Sequence, residues 1–408
     1  MTIARRDLVE ILARSLARLD VEQRVSAALR ARDGARPTRL VAMGKAAAAM
    51  ARGAFERWDD AILEALIVTP DAAVRGFDDR VEQLRGGHPV PDRGSVRAAD
   101  RALALARACS KDGARLLVLI SGGASALVCG PADGVGLARK QAVTRAMLRS
   151  GASIQQLNVV RKHLSTIKGG GLARAASPAP VWTLVASDVI AGEPADVGSG
   201  PSVSDPSTPR DARRWLRRYT GDRFDALPLV RTGQAGNAKP PRVIAAPEEL
   251  ARRARDELRA LGLVVRVLPP SQADVTELAR EYLALAARLP PGHAVVRAAE
   301  PSVRIDTRHG RRGRGGRSTH LAALVGRSLS SSSGILFMAA ATDGVDGVSG
   351  KAGAIVDGAF PDRVSVRAID DAVTRFATGA LHRRAKTALP MAPTGHNLAD
   401  LHMLVHRG

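Results

Sequence analysis

Cysteine is almost missing from this chain: Cys109 and Cys129 are the only two in 408 residues. Both sit in Ala-rich or Gly-flanked apolar surroundings, which excludes a disulfide framework and a cysteine metal site and points to a reducing compartment, the cytoplasm being the simplest. Aromatic residues are scarce as well, at 3%, so the core has to be built from Ala, Val, Leu and Ile. The same scarcity leaves few rings among the basic residues on which nucleic-acid bases could stack. No run of about 18 uncharged apolar residues occurs, and residues 1–30 read as a charged amphipathic helix, so neither export nor membrane insertion is expected. There is no GxxxxGK[ST], which excludes a Walker-type nucleotide site, and no GxGxxG follows a strand with an acid about 20 residues on, which argues against a dehydrogenase.

Apolar residues make up 45% and charged residues 25% of the chain, ordinary for a globular protein long enough for two or three domains. Lysine and arginine number 61 against 40 aspartates and glutamates, a net charge of +21. That excess suits an anionic partner, but it is scattered rather than gathered into an arm, so a phosphate-bearing small molecule is favoured over nucleic acid. Nearly all of it is arginine. Lysine occurs only at 45, 111, 140, 162, 168, 239, 351 and 386, so its placement carries information.

Short apolar runs at 39–43, 65–68, 116–120, 181–186, 243–245, 264–267, 293–297 and 335–340 alternate with segments of helical period at 45–57, 95–108, 137–150, 154–175, 209–219, 248–261, 275–289 and 319–328. This is the pattern of βαβ units in a covered parallel sheet, so the fold class is α/β. A Pro/Gly-rich stretch at 227–242 is the best linker, and it predicts domains at 1–238 and 239–408.

Three strand ends carry residues suited to anions. The run 116–120 feeds into Ser121-Gly122-Gly123-Ala124-Ser125, which is either a turn offering free backbone N–H groups to a phosphate or carboxylate, or a tight turn needing glycine. The run 181–186 leads to Ser187-Asp188-Val189, and 335–340 leads to Thr342-Asp343-Gly344-Val345-Asp346-Gly347. Acids in such loops suit Mg²⁺ beside phosphates, although each alone could be a turn or capping residue. Lys45, after Gly44 at the start of a predicted helix, opposes the helix dipole unless an anion sits in front of it. Arg161, Lys162, Ser165 and Lys168 fall near one helical face and could converge on a carboxylate or phosphate, or form a wet surface. The Gly/Arg loop 308–317 reads as an ordered anion-binding loop.

Gly44-Lys45-Ala46, Gly86-Gly87-His88-Pro89-Val90-Pro91-Asp92, the 120–127 and 158–170 segments, Ser187-Asp188-Val189, Ser199-Gly200-Pro201, Asp205-Pro206-Ser207-Thr208 and 341–347 together resemble the glycerate 2-kinase family of the MOFRL type. The resemblance implies a Rossmann-like N-terminal domain, a smaller α/β C-terminal domain and a site in the cleft between them. It implies phosphorylation of the 2-hydroxyl of D-glycerate by ATP with Mg²⁺, with no nucleic-acid or membrane partner; a homo-oligomer is compatible with it. Some relatives carry the name hydroxypyruvate reductase.

By the same resemblance Lys45 matches the catalytic lysine and Arg317 the cleft arginine, while Ser121, Gly122, Gly123 and Ser125 form the ligand loop. Asp188 is expected at the phosphates and metal, Asp346 at the metal, and Arg161 with Lys162 on the glycerate carboxylate. The C-terminal half departs from the family pattern. It has Arg297-Ala298-Ala299-Glu300 for Ser-Gly-Gly-Glu, Ser318-Thr319-His320 for Asn-Gln-Glu, Ala245-Ala246-Pro247 for Gly-Asp-Asn, and Met391-Ala392-Pro393-Thr394-Gly395-His396-Asn397 for Thr-Gly-Pro-Thr-Gly-Thr-Asn. A reductase, or a non-catalytic member that binds an anionic metabolite, are the rival expectations.

Overall fold

The structure, a computed structural model, describes residues 3–407 apart from 72–73, 191, 305–312, 332–333, 391–393 and 395–397. Residues 308–312 of the Gly/Arg loop, and all but Thr394 of the 391–397 motif, therefore lie outside the described residues. The chain divides into two compact units, Val21–Ala245 and Ala246–Gly408, the latter joined by Met1–Asp20.

In the Val21–Ala245 unit six strands, β1 (Thr38–Met43), β2 (Ile62–Thr69), β3 (Val81–Arg85), β4 (Arg115–Ser121), β5 (Val181–Ala186) and β6 (Arg242–Ala245), form one parallel sheet in the order β3-β2-β1-β4-β5-β6. Every residue of β4 is buried, as a central parallel strand covered on both faces must be. Val41, Met43, Val118 and Ile120 pack against Ala98, Ala102, Leu105 and Cys109 of the helix Arg93–Asp112. That helix starts where the Asp92 carboxylate accepts from Ser95 N at 2.9 Å and stops at Gly113, whose φ is +72°, a conformation natural to glycine. A second cluster joins the helices Leu137–Arg149, Ile154–His163 and Pro209–Thr220 through Val143, Met147, Leu157, Val160, Ala212 and Leu216.

The other unit carries β7 (Val264–Val267), β8 (His293–Ala299), β9 (Ile335–Ala341), β10 (Gly353–Asp357), β11 (Ala388–Leu389) and β12 (Asp400–His406) in the order β11-β10-β9-β12-β8-β7. Only β7 and β8 are parallel; β12 inserts antiparallel between β8 and β9, so this sheet is mixed rather than parallel as expected.

Other boundaries differ from expectation. The predicted 154–175 helix is two, Ile154–His163 and Gly171–Ala176, separated by a turn. The 45–57 helix begins at Ala47, which leaves Lys45 in the turn before it. The 1–30 helix is two, Arg5–Ala17 and Val21–Ala28, one in each unit. The division after Ala245, not 238, follows from β6 pairing with β5, which keeps the Pro/Gly-rich stretch inside the first unit.

Candidate active site

The strand order reverses between β1 and β4, and in doubly wound sheets ligands bind beyond the carboxyl ends of strands at such a reversal. Gly44 and Lys45 follow β1 there, and Gly122 and Gly123 follow β4. The two turns are tied together: Lys45 N donates to Gly122 O at 2.9 Å, and Ala46 N donates to Ser121 Oγ at 3.0 Å. Gly44 has φ +125°, and a Cβ there would fall on Ser121 Oγ, so glycine is what allows the approach. Gly123 has φ +86°, and a Cβ there would stand 3.2 Å from the His88 ring and 3.6 Å from Lys45 Cγ. Lys45, His88 and Gly123 thus meet at one point. The turn opens a helix of only four residues, Ala124–Leu127, so it offers backbone amides rather than a sizeable dipole. Asp188 lies just past β5, two residues beyond Ala186, which pairs with Ser121.

Beside this junction is a cavity of about 370 Å³ lined by His88–Pro91 on one side, Gly123, Ser125 and Cys129 on another, and Lys140, Arg145, Arg161 and Lys168. No carboxylate among the described residues lines it. Lys140, 4% exposed, donates from Nζ to Leu164 O at 2.9 Å and Gly130 O at 3.4 Å. Lys168, 2% exposed, donates to Ser125 O at 2.9 Å, Ser125 Oγ at 3.0 Å and Gly198 O at 3.2 Å. Burial, with Lys140 adding to it, pushes Lys168 down to about 7; burial, reinforced by Arg161, pushes Lys140 down to about 8. Burial also holds Arg161 below its ordinary value. Burial first and Lys45 second hold His88 below the usual histidine value. Ser125 Oγ lies 3.1 Å from Ser199 Oγ, which donates to Asn158 Oδ1 at 3.1 Å. This hydroxyl chain fixes the loop. A cluster of buried cations without an acid is costly unless an anion joins it.

Of the expected site residues, Lys45, Ser121, Gly122, Gly123, Ser125 and Asp188 are grouped at adjacent strand ends, and Arg161 faces the cavity. Lys162 does not: its Nζ pairs with the buried Asp205 Oδ1 at 3.3 Å. Burial would push Asp205 up, but Lys162 and the hydroxyls of Thr232 and Ser207 outweigh it and hold the carboxyl low. Lys162 is therefore a structural partner, because the residue after Arg161 on a helix points elsewhere.

Arg317 and Asp346 belong to the other unit. Arg317 opens the helix Arg317–Ser328 and donates to Glu300 Oε1 and Asp400 Oδ1, each at 3.2 Å. Both Asp346 oxygens are taken by the start of that helix, from Ser318 N at 2.9 Å and Thr319 N at 2.8 Å. Asp346 thus caps this helix. Burial, with Asp346 and Glu300 adding to it against Arg317, pushes Asp400 up to about 7.

His88, Lys140 and Asp400 were not singled out as site residues, whereas Lys168 was read with Arg161 as a possible anion donor and does line the cavity. Of the missed residues only Lys140 is among the eight lysines, whose rarity could have marked it. Among the described residues no group of three or more His, Cys, Asp or Glu could hold a metal. Mg²⁺ that arrives on nucleotide phosphates needs only one or two carboxylates from a protein.

A doubly wound sheet with a cationic, carboxylate-free cavity beside its reversal point defines an α/β protein built to take small anions. A family model described as a domain of unknown function (DUF4147) matches residues 7–227, and one described as the MOFRL family matches residues 293–400. An Agrobacterium vitis protein named "Putative hydroxypyruvate reductase" is 37% identical over 84% of this chain and 80% of its own length. The D-glycerate 2-kinase of Thermotoga maritima is 31% identical over 89% of each chain. The crystal structure of a glycerate kinase from Thermotoga maritima superposes with a TM-score of 0.86 at 28% identity, covering 98% of this chain and 99% of that one. The chain belongs to the glycerate 2-kinase family of the MOFRL type.

Proposed function

We propose that this protein is a D-glycerate 2-kinase, which transfers the γ-phosphoryl of ATP to the 2-hydroxyl of D-glycerate and releases 2-phosphoglycerate and ADP. The observation that carries the proposal is the carboxylate-free cationic cavity opening beside Lys45 and the Gly123 turn. Phosphoryl transfer asks little covalent work of a protein; it needs cations around the migrating group and a held acceptor. Lys45 supplies charge to the phosphoryl, the Ser121–Gly123 amides cradle it, and Arg161, backed by Lys140 and Lys168, takes the acceptor's carboxylate. Asp188 would hold Mg²⁺, which when bound neutralises phosphate charge. Arg317, which the resemblance matches to the family's arginine, is held within the later unit by Glu300 and Asp400. The proposal places the enzyme in the cytoplasm, whose reducing conditions suit Cys109 and Cys129, both buried free thiols. No helix among the described residues is long and apolar enough to cross a membrane.

The test is purified protein with ATP, Mg²⁺ and D-glycerate, following ADP and separating 2- from 3-phosphoglycerate by coupled assay. The expected product is 2-phosphoglycerate, with Lys45→Ala lowering kcat by about 10²–10³-fold. Folded protein that forms no 2-phosphoglycerate overturns the proposal. The name of the Agrobacterium vitis relative favours a reductase; steady NAD(P)H oxidation with hydroxypyruvate would establish that reading, and saturable glycerate binding without product would favour a non-catalytic member.

A further inference from the structure

We propose that His88 is the catalytic base that accepts the proton of the acceptor hydroxyl, an inference that rests on the kinase reading. Its ring lines the same cavity as Arg161, Lys168 and Ser125, so a small acid held there is within the same enclosure. The ring also lies over Gly123, with Cδ2 3.2 Å and Nε2 3.3 Å from the position of a Cβ on that residue, and Lys45 borders the same spot. Imidazole is therefore placed where the acceptor cavity meets the phosphoryl-facing turn.

Two further observations suit a base. Among the described residues no protein hydrogen bond occupies either ring nitrogen of His88, so one is available to substrate. The charged groups that face it are Lys45 from the β1 turn and Lys140, Arg145, Arg161 and Lys168 across the cavity. Asp92, on its own loop, is turned away and accepts from Gly87 N and Ser95 N. With cations around it and no carboxylate, the imidazole stays neutral near pH 7, the form that takes a proton. Phosphotransferases often use an aspartate in this role, but no carboxylate among the described residues lines this cavity.

The step balances. The acceptor oxygen forms its bond to the γ-phosphorus as its proton passes to a His88 ring nitrogen. The bond from phosphorus to the bridging oxygen breaks, ADP leaves with that electron pair, and the imidazolium returns its proton to water as product departs.

The experiment starts with 2-phosphoglycerate formation by the wild type, whose absence overturns the kinase reading itself. In active enzyme, His88→Asn is expected to lower kcat roughly 10²–10⁴-fold with little change in KM for glycerate or ATP. The acid-side fall of the kcat–pH profile should vanish, and added imidazole should restore part of the rate. A variant that keeps its kcat and acid-side fall overturns the assignment to His88 alone. So does a wild-type profile with no acid-side ionisation, a measurement that stands even if His88→Asn does not fold.

Discussion

Arg161 and Lys162 are neighbours in sequence and opposite in use. Arg161 lines the cavity, whereas Lys162 neutralises the buried Asp205. Arg161→Met should raise KM for glycerate roughly tenfold to a hundredfold, the worth of a charged hydrogen-bonded contact, with little change in melting temperature. Lys162→Met should do the reverse, because an unpaired buried carboxylate costs about 3–5 kcal/mol. Substrate kinetics and thermal unfolding of the two variants check this, and a swapped pattern would sink it. The cavity lysines add a proton linkage. With Lys168 near 7 and Lys140 near 8 in the ligand-free protein, a bound anion favours their charged forms and raises both. Glycerate binding between about pH 7 and 8 should therefore take up protons, read by calorimetry in two buffers of different ionisation heat; proton release would contradict it. The rarity of lysine made these residues visible in sequence, but which of them face one another depends on chain reversals that spacing does not encode.

At the scale of elements, the strands legible in sequence are those with continuous apolar runs. β3, Val-Glu-Gln-Leu-Arg, escaped because an edge strand is half-exposed and its charges break the pattern. β12 escaped because Asp400 and His402 interrupt it; both are buried, and Tyr282 Oη lies 3.0 Å from His402 Nδ1. The helix read across 154–175 ends at His163, and the turn that follows, with positive φ at Gly169 and Gly170, is what carries Lys168 into the cavity. A continuous helix would have put it elsewhere. Asp346 shows the same limit, since a strand-end acid reads equally as metal ligand or cap until the helix it faces is known. Asp346→Ala leaves the buried N–H groups of Ser318 and Thr319 without acceptors. Thermal denaturation should register the upper part of the about 0.5–2 kcal/mol range of a lost N-cap; an unchanged midpoint would remove the capping role.

Over the whole molecule, composition and strand pattern made the α/β class legible, but the division of the chain was hidden because one unit is discontinuous. The helix Arg5–Ala17 buries Leu8, Ile11, Leu12 and Leu16 and joins the unit that resumes at Ala246. Arg14 Nε pairs with Glu257 Oε2 at 2.8 Å and Arg18 with Glu257 Oε1 at 3.0 Å, which fastens it to the helix Pro247–Ala260. No local signal announces such a partner more than two hundred residues away, because an amphipathic helix specifies only that one face be covered. The consequence is measurable. Leu12→Ala should cost about 2–5 kcal/mol, the range for a buried leucine, and the loss should fall on the later unit. Amide exchange should quicken in Pro247–Ala260 while β1, only some twenty-five residues from the substitution, keeps its protection. Quickening in β1 with none in Pro247–Ala260 would mean that the N-terminal helix serves the unit next to it in sequence, and that Met1–Asp20 does not belong with the unit that resumes at Ala246.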